Sequence, residues 1–148
     1  MRPPVDFVLQ EGKQTLLTQI LPAIESSHFQ GSIYVIGILL AYAALEYERG
    51  ADIRVTDNAE LRALFLAAAE RVADVALAIR LRQAAAIREA SLRMSELDRV
   101  NDLLKSQFIE LHEHVEACST DWALDFERRM LDFLASSLAR RALPGIGT

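Results

Sequence analysis

Between Ala51 and Leu143 the chain contains neither glycine nor proline over 93 consecutive residues. These two residue types are the strongest local breakers of regular structure. Alanine, leucine, arginine and glutamate dominate the same segment, and their side chains lose little conformational entropy in a helix. The absent breakers and the local propensities together predict long helices and an all-α fold.

The chain has 148 residues, which is the usual length of one domain. We therefore expect a single helical-bundle domain over residues 1–148. The composition, 51% hydrophobic and 25% charged, is typical of a globular protein and not of a disordered one. The net charge of -5 argues against a nucleic-acid partner, because a phosphate-binding surface needs a basic face.

Two features of the sequence bear on cellular location. Cys118 is the single cysteine, which excludes an internal disulfide, and the opening residues MRPPVDF lack the layout of a signal peptide. We therefore expect a cytoplasmic protein. The most apolar run, from Ser32 to Leu45, is shorter than the ~20 residues that a membrane-spanning helix needs. It predicts a helix buried in the core, with no membrane contact.

Hydrophobic periodicity and the positions of helix-ending and helix-capping residues divide the chain into five predicted helices. Pro22 lacks a backbone donor and ends the first helix, and Gly50 can take the left-handed conformation that closes the second. Residues 51–57 are predicted to be a loop, after which Asp57 or Asn58 caps the third helix. The end of that helix stays open, with Ser91 and Ser95 as alternative caps for the fourth. The predicted helices cover residues 6–21 and 32–49, a third from 56 or 57 with an open end, a fourth whose apolar pattern runs from Ala90 to Cys118, and a fifth from a cap at residues 119–121 to the stop at Pro144-Gly145. An apolar stripe that includes Val75 runs along the third from Leu61 to Ile79. The residues of the fifth that are predicted to face inward are Trp122, Phe126, Met130, Phe133 and Ser137.

The fourth helix carries the most regular apolar pattern of the chain. Its hydrophobic residues alternate three and four positions apart, which is the spacing of a heptad seam. Asn101 interrupts this seam, and a buried asparagine there can set register or oligomeric state; alternatively, the helix rotates and presents Val100 or Leu104. The seam predicts that the fourth or fifth helix pairs with its copy in a homodimer. Its members are Ala90, Met94, Leu97, Asn101, Leu104, Phe108, Leu111, Val115 and Cys118.

The second predicted helix offers candidate ligand-binding residues. Tyr42, Glu46 and Arg49 could place a few polar groups in apolar walls, which is how a pocket between helices orients a small molecule such as an acyl or nucleotide ligand. The alternative is that the tyrosines pack in the core and their phenol groups reach the surface.

Metal and catalytic motifs are sparse. Glu110, His114 and Cys118 follow one another at four-residue spacing, so they share one side of a helix and could hold a metal ion. Structural zinc needs four ligands, however, and the sequence offers no second cysteine, so we expect no metal and no cofactor. With six glycines and none clustered, a phosphate-binding loop or a nucleophile elbow is absent.

Several short segments resemble a small bacterial all-helical family of unknown function. The segments are Arg2-Pro3, Leu21-Pro22-Ala23, His28-Phe29-Gln30 and residues 43–50, AALEYERG. They cover about the first third of the chain. The second helix departs from that family at residues 33–36, IYVI, where the family has polar residues.

Members of that family are encoded beside aminoglycoside-phosphotransferase-like kinases and acyl-CoA dehydrogenases. The resemblance implies an accessory role to such enzymes and supplies no catalytic residue. The sequence therefore favours a non-enzymatic accessory or interaction protein that forms a homodimer, with a ligand-binding protein and a metal-binding bundle as alternatives.

Overall fold

A computed structural model describes residues 3–142 of the chain. Among these residues the secondary structure is helical, without strands, which confirms the predicted all-α class. Residues 16–20 form a π-helical turn and residues 21–23 a 3-10 turn. The five α-helices are α1 (Val5–Thr15), α2 (Ser27–Ala69), α3 (Val75–Ala86), α4 (Met94–Glu116) and α5 (Asp121–Arg140).

The chain divides into two compact units at the junction of Gly50 and Ala51. Unit 1 contains α1, the two short turns and the first part of α2. Unit 2, Ala51–Ala142, contains the rest of α2 together with α3, α4 and α5. The expectation of one domain over the whole chain stays a prediction.

The boundary predicted at Gly50 is wrong, because α2 runs for 43 residues through it. Glycine inside a helix costs only about 1 kcal/mol relative to alanine. Beyond it, Ile53 is 1% exposed, and Asp57 and Asn58 are fully buried. Residues 51–57 are therefore helical and not a loop, and the two polar residues expected to cap a new helix lie inside an existing one.

The third predicted helix is interrupted within its apolar stripe, because α2 ends at Ala69 and α3 begins at Val75. Asp74 caps α3 by accepting hydrogen bonds from the backbone N–H groups of Ala76 and Leu77, at 2.8 and 3.1 Å. This is the usual role of an N-cap aspartate. As a result, Val75 and Ile79, predicted to face inward, are 72% and 50% exposed.

The fourth and fifth helices lie close to their predicted positions. The residue before α4 is Arg93 and not Ser91 or Ser95, and α5 follows Thr120 as expected. The inward residues predicted for α5 include Phe126, Met130 and Phe133, and all three are buried. The stop predicted at Pro144-Gly145 lies outside the described residues.

Unit 2 holds the main hydrophobic core. Within it α4 packs against α3 and α5, and the apolar seam of α4 is buried from Leu97 to Val115. Other helices of the same chain thus cover the α4 seam, which was expected to pair with its copy in a homodimer. The most deeply buried apolar residues of this core are Phe65, Leu61, Ala68, Leu81, Val100, Leu104, Leu111 and Met130.

Unit 1 differs sharply from unit 2 in burial. Among its described residues, only Gly37, Ala44 and Gly50 are buried. The prediction that the run from Ser32 to Leu45 forms a buried core helix is therefore wrong for this chain. The segment is helical, but Leu39, for example, is 59% exposed.

Candidate functional site

In unit 1, the π-helical turn that follows α1 lies against the first part of α2 through a close contact at Gly37. A Cβ atom placed on Gly37 would lie 2.8 Å from Leu17 Cδ2, which is closer than real side chains approach. One turn along α2, Leu40 Cδ1 would lie 3.7 Å from a Cβ atom on Gly12. Gly37 thus permits a close approach of Leu17 to α2, whereas a Cβ atom on Gly12 would make an ordinary van der Waals contact with Leu40.

A cleft of about 590 Å³ opens between these helices. This volume falls in the range of small-molecule sites, roughly 300–1,000 Å³. Apolar side chains form its floor and charged side chains of both signs stand around it. The lining residues are Asp6, Gln10, Lys13, Gln14, Leu17, Tyr34, Gly37, Ile38, Ala41, Ala44, Leu45, Glu48 and Arg49.

The structure separates the three predicted ligand-binding residues. Arg49 lines the cleft, whereas Tyr42 and Glu46 are not among its lining residues. Tyr42 is 47% exposed, and Glu46 is half-buried. The tyrosine that does reach the cleft is Tyr34. The sequence did not indicate the wall contributed by α1, because that wall depends on how the two helices pack.

The side of α2 that faces away from the cleft carries a second apolar surface, which we call the outer face. At 100° per residue, its members span a sector of about 140° that begins beside the cleft-lining residue Ile38, at Tyr42, and reaches the far side of the helix at Phe29 and Tyr47. The outer-face residues and their exposed fractions are Phe29 60%, Val35 54%, Ile36 44%, Leu39 59%, Tyr42 47% and Tyr47 60%.

Among the described residues, α2 is the one helix long and apolar enough to cross a membrane by length and composition. Its best 18-residue window has a mean hydropathy of 1.5, and 17% of that window is buried. A helix that is apolar on all sides is usually covered by protein or by lipid.

Unit 2 contains a buried ionic cluster that the sequence did not predict. Asp57 of α2 is fully buried and accepts a hydrogen bond from Ser137 Oγ at 2.9 Å. Arg140 Nη2 lies 2.9 Å from Asp57 Oδ1, and Arg141 Nη1 lies 2.5 Å from Oδ2. Arg140 also pairs with Glu60 at 2.5 Å. The carboxylate is therefore fully compensated, and the cluster joins the end of α5 to α2.

Next to this cluster, a chain of amide and charged groups crosses from α4 to α2. Asn101 Nδ2 donates to Asn58 Oδ1 at 2.8 Å, and Asn58 Nδ2 donates to Glu89 Oε1 at 2.8 Å. Burial raises the pKa of Glu89, but hydrogen bonds from Arg62 and Asn58 outweigh it, so that the pKa is lowered overall. Asn101 is thus buried in the seam, which was one of the two alternatives, and Val100 and Leu104 are buried beside it. The partner of Asn101 belongs to the same chain.

Of the three residues considered as metal ligands in the sequence, His114 and Cys118 lie close together and Glu110 has other partners. Cys118 Sγ lies 3.7 Å from His114 Nε2. Glu110 instead pairs with Arg80 and accepts a hydrogen bond from Gln107 at 2.7 Å. The hydrogen bond from Arg80 is the main cause that lowers the pKa of Glu110. Glu110 is thus engaged by a cation outside the His114-Cys118 pair.

Comparisons with known proteins found no match: no family model, no curated protein and no solved structure resembles this chain.

Proposed function

We propose that this protein is a non-enzymatic interaction module that forms a homodimer through the outer face of α2. The observation that carries the proposal is the exposure of the six large side chains of that face in unit 1. Exposed apolar patches on proteins mark interaction surfaces when they are large and contiguous.

The size of the face supports a partner of protein dimensions. Six half-exposed large side chains offer on the order of 600 Å², and a stable interface buries about 800 Å² from each partner. Neighbouring exposed residues, among them Ala43, can supply the remainder. An apolar face is complementary to itself, as the isologous interface of a two-fold dimer requires.

The packing of α1 favours a second copy of the chain, and not a lipid bilayer, as the partner that covers the outer face. This helix contacts the apolar part of α2 at Gly12, and the turn that follows it contacts α2 at Gly37. The charged residues Asp6, Glu11 and Lys13 lie on α1. Inserting α2 into a bilayer together with α1 would place these charges in or near hydrocarbon, which costs several kcal/mol per charge. A protein partner covers the outer face without moving them.

The test is the mass of the full chain at high micromolar concentration, measured by light scattering during gel filtration. We expect a dimer, and we expect Leu39→Lys to convert it to a monomer because the lysine charge would be buried in the interface. The control is Leu103→Lys, which changes an exposed leucine of α4 in unit 2 and should leave the mass unchanged.

Vesicle co-sedimentation distinguishes the lipid alternative. A wild-type monomer, or a dimer that survives Leu39→Lys, contradicts the proposal. A monomer that pellets with phosphatidylcholine vesicles would assign the outer face to a membrane. An accessory role beside a kinase or an acyl-CoA dehydrogenase, which the family resemblance implies, is compatible with such a module and remains an expectation.

The cleft in unit 1 favours one second candidate, a binding site for a small acyl or nucleotide ligand. Its support is the combination of apolar lining residues with Lys13 and Arg49, which can pair with an anionic head group. Asp6 and Glu48 line the same cleft and offset these two charges. Acyl-CoAs and nucleotides should then raise the melting temperature, because a ligand of the folded state stabilises it.

The variant that tests this candidate is Ala41→Phe, which fills the floor of the cleft and should abolish the ligand-induced rise. Ala86→Phe, at an exposed position of α3, is the matched control. No response of the wild-type protein to either ligand class would remove the candidate.

A further inference from the structure

Three potential metal ligands meet where α4 ends and α5 begins. His112 and Glu116 lie one turn apart on α4, and Glu127 lies on α5. One ligand atom from each residue lies within 4.8 Å of the other two. The residues are not adjacent in sequence, and the packing of α4 against α5 brings them together.

Aromatic packing holds the imidazole of His112 in place. Its ring is stacked on Phe108, with centroids 6.3 Å apart and an interplanar angle of 6°. Phe108 in turn packs against Phe133 of α5, with centroids 5.5 Å apart. The orientation of the imidazole is therefore set by the core of unit 2.

Neither nitrogen of His112 is used in a hydrogen bond among the described residues. Nδ1 lies 3.7 Å from Glu116 Oε1, which is beyond hydrogen-bond distance. Nε2 is shielded from solvent and has no hydrogen-bond partner. Because the two nitrogens lie on different sides of the ring, one ion can bind only one of them, and Nδ1, which lies near Glu116, is the nitrogen available to an ion at this cluster.

The charges around the cluster also favour a cation. Two carboxylates this close repel each other unless a positive charge lies between them. The arginines next to Glu127 along α5 are engaged elsewhere, since Arg128 pairs with Asp125 and Arg129 lies over the ring of Phe126. Within the described part of the chain, the one basic side chain within 4 Å of Glu116 is the imidazole of His112, which binds a metal ion only in its neutral form.

We propose that His112, Glu116 and Glu127 form a binding site for a divalent transition metal ion such as Zn²⁺ or Mn²⁺. Ligands bound at about 2.1 Å lie roughly 3.0–3.4 Å apart, so separations of 3.7 Å and up to 4.8 Å need only small side-chain movements. One imidazole and two carboxylates suit these ions, with water in the open positions. The ligand nitrogen must be unprotonated.

The experiment uses the full chain after dialysis against a chelator. Titration calorimetry with Zn²⁺ and with Mn²⁺ should show one ion per chain, and Mg²⁺, which prefers all-oxygen sites, should bind at least about tenfold more weakly. Glu116→Gln and Glu127→Gln should each weaken binding by at least about tenfold. The matched control is Glu113→Gln, at an exposed glutamate of the same helix, which should bind as the wild type does.

A second measurement tests the nitrogen ligand. Co²⁺ bound to the wild type should show a visible absorption band that shifts in His112→Gln, while circular dichroism checks that each variant is folded. Glu116 is 56% exposed, so its variant should fold even if another does not. No binding at millimolar metal would overturn the site. An affinity that all three variants leave unchanged would mean an adventitious ion only and would also overturn it.

Discussion

Arg140 Nη2 lies 2.9 Å from Oδ1 of Asp57, which joins the last turn of α5 to the middle of α2 across 83 residues of sequence. Asp57 is fully buried, whereas the Arg140 side chain is 22% exposed. A buried carboxylate needs such partners, because an unpaired charge in the interior is very unfavourable. This contact and its neighbours determine where α5 ends against α2.

Asp57→Asn should strongly destabilise unit 2. The substitution keeps the shape of the side chain but leaves Arg140 and Arg141 without their shared anion, and breaking a buried ion pair from one side costs about 3 kcal/mol. Urea unfolding followed by circular dichroism measures the loss. Asp102→Asn, at an exposed position of α4, is the control, and equal effects of the two substitutions would show that the ionic cluster contributes little.

Asn101→Ala should destabilise the protein by about 2 kcal/mol, since it leaves the buried Oδ1 of Asn58 without its donor. A double-mutant cycle with Asn58→Ala isolates the contact. The two single effects should be non-additive, because the residues are directly bonded. Additive effects would mean that the bond between the two amides does not contribute.

Gly31 and Gly37 make a matched pair on α2. Nothing lies within 4 Å of a Cβ atom on Gly31, whereas one on Gly37 would clash with Leu17. Gly31→Ala should stabilise by about 0.5–1 kcal/mol, the usual gain in a helix interior, and Gly37→Ala should destabilise by about 1 kcal/mol.

The reciprocal substitution Leu17→Ala checks the cause. In that background Gly37→Ala should lose most of its penalty, because the clashing atoms are gone. Thermal unfolding of the four variants measures both effects. If Gly37→Ala and Gly31→Ala were equally stabilising, Leu17 of the π-helical turn would not lie against α2 at this point.

Glu96 should contribute to stability in acid. Hydrogen bonds from Arg99 and then from the backbone N–H of Ala90 lower its pKa from 4.5 to about 2. Since the folded-state pKa lies below the unfolded one, the contribution is complete above about pH 4.5 and is lost as the pH falls towards about 2.

Glu96→Gln should therefore flatten the dependence of stability on pH between these two values. Unfolding midpoints measured from pH 6 down to the acid transition test this, with Glu113→Gln as the control. An unchanged slope in Glu96→Gln would show that the hydrogen bonds to Glu96 do not form in solution.

For α4 and α5, local sequence signals were sufficient to predict the position of each helix and the side that faces inward. Their apolar residues recur at helical spacing, and Thr120 precedes α5 as expected, so the inward faces of both helices followed from the residues themselves. The break before α3 also has a local signal, the N-cap Asp74. It was missed because the apolar stripe from Leu61 to Ile79 continues through it without a change of period.

The candidate site depended much more on packing. Arg49 was predicted and lines the cleft, but Asp6 and Lys13 reach it only because α1 folds back on α2. His112 and Glu127 likewise lie 15 positions apart in sequence and meet only across two helices. Spacing within one helix cannot reveal such pairs, since they depend on how two helices pack and on their register.

The sequence by itself determined that this chain is helical and which side of α4 and α5 faces inward, because both follow from propensities and periodicities that act within a few turns. Only the tertiary structure decided that α2 continues through Gly50, that Asp57 and Asn58 are buried polar partners and not caps, and that the outer face of α2 stays exposed. The physical reason is that burial and ion pairing join residues far apart in sequence, and their energies exceed the cost of about 1 kcal/mol for one glycine within a helix.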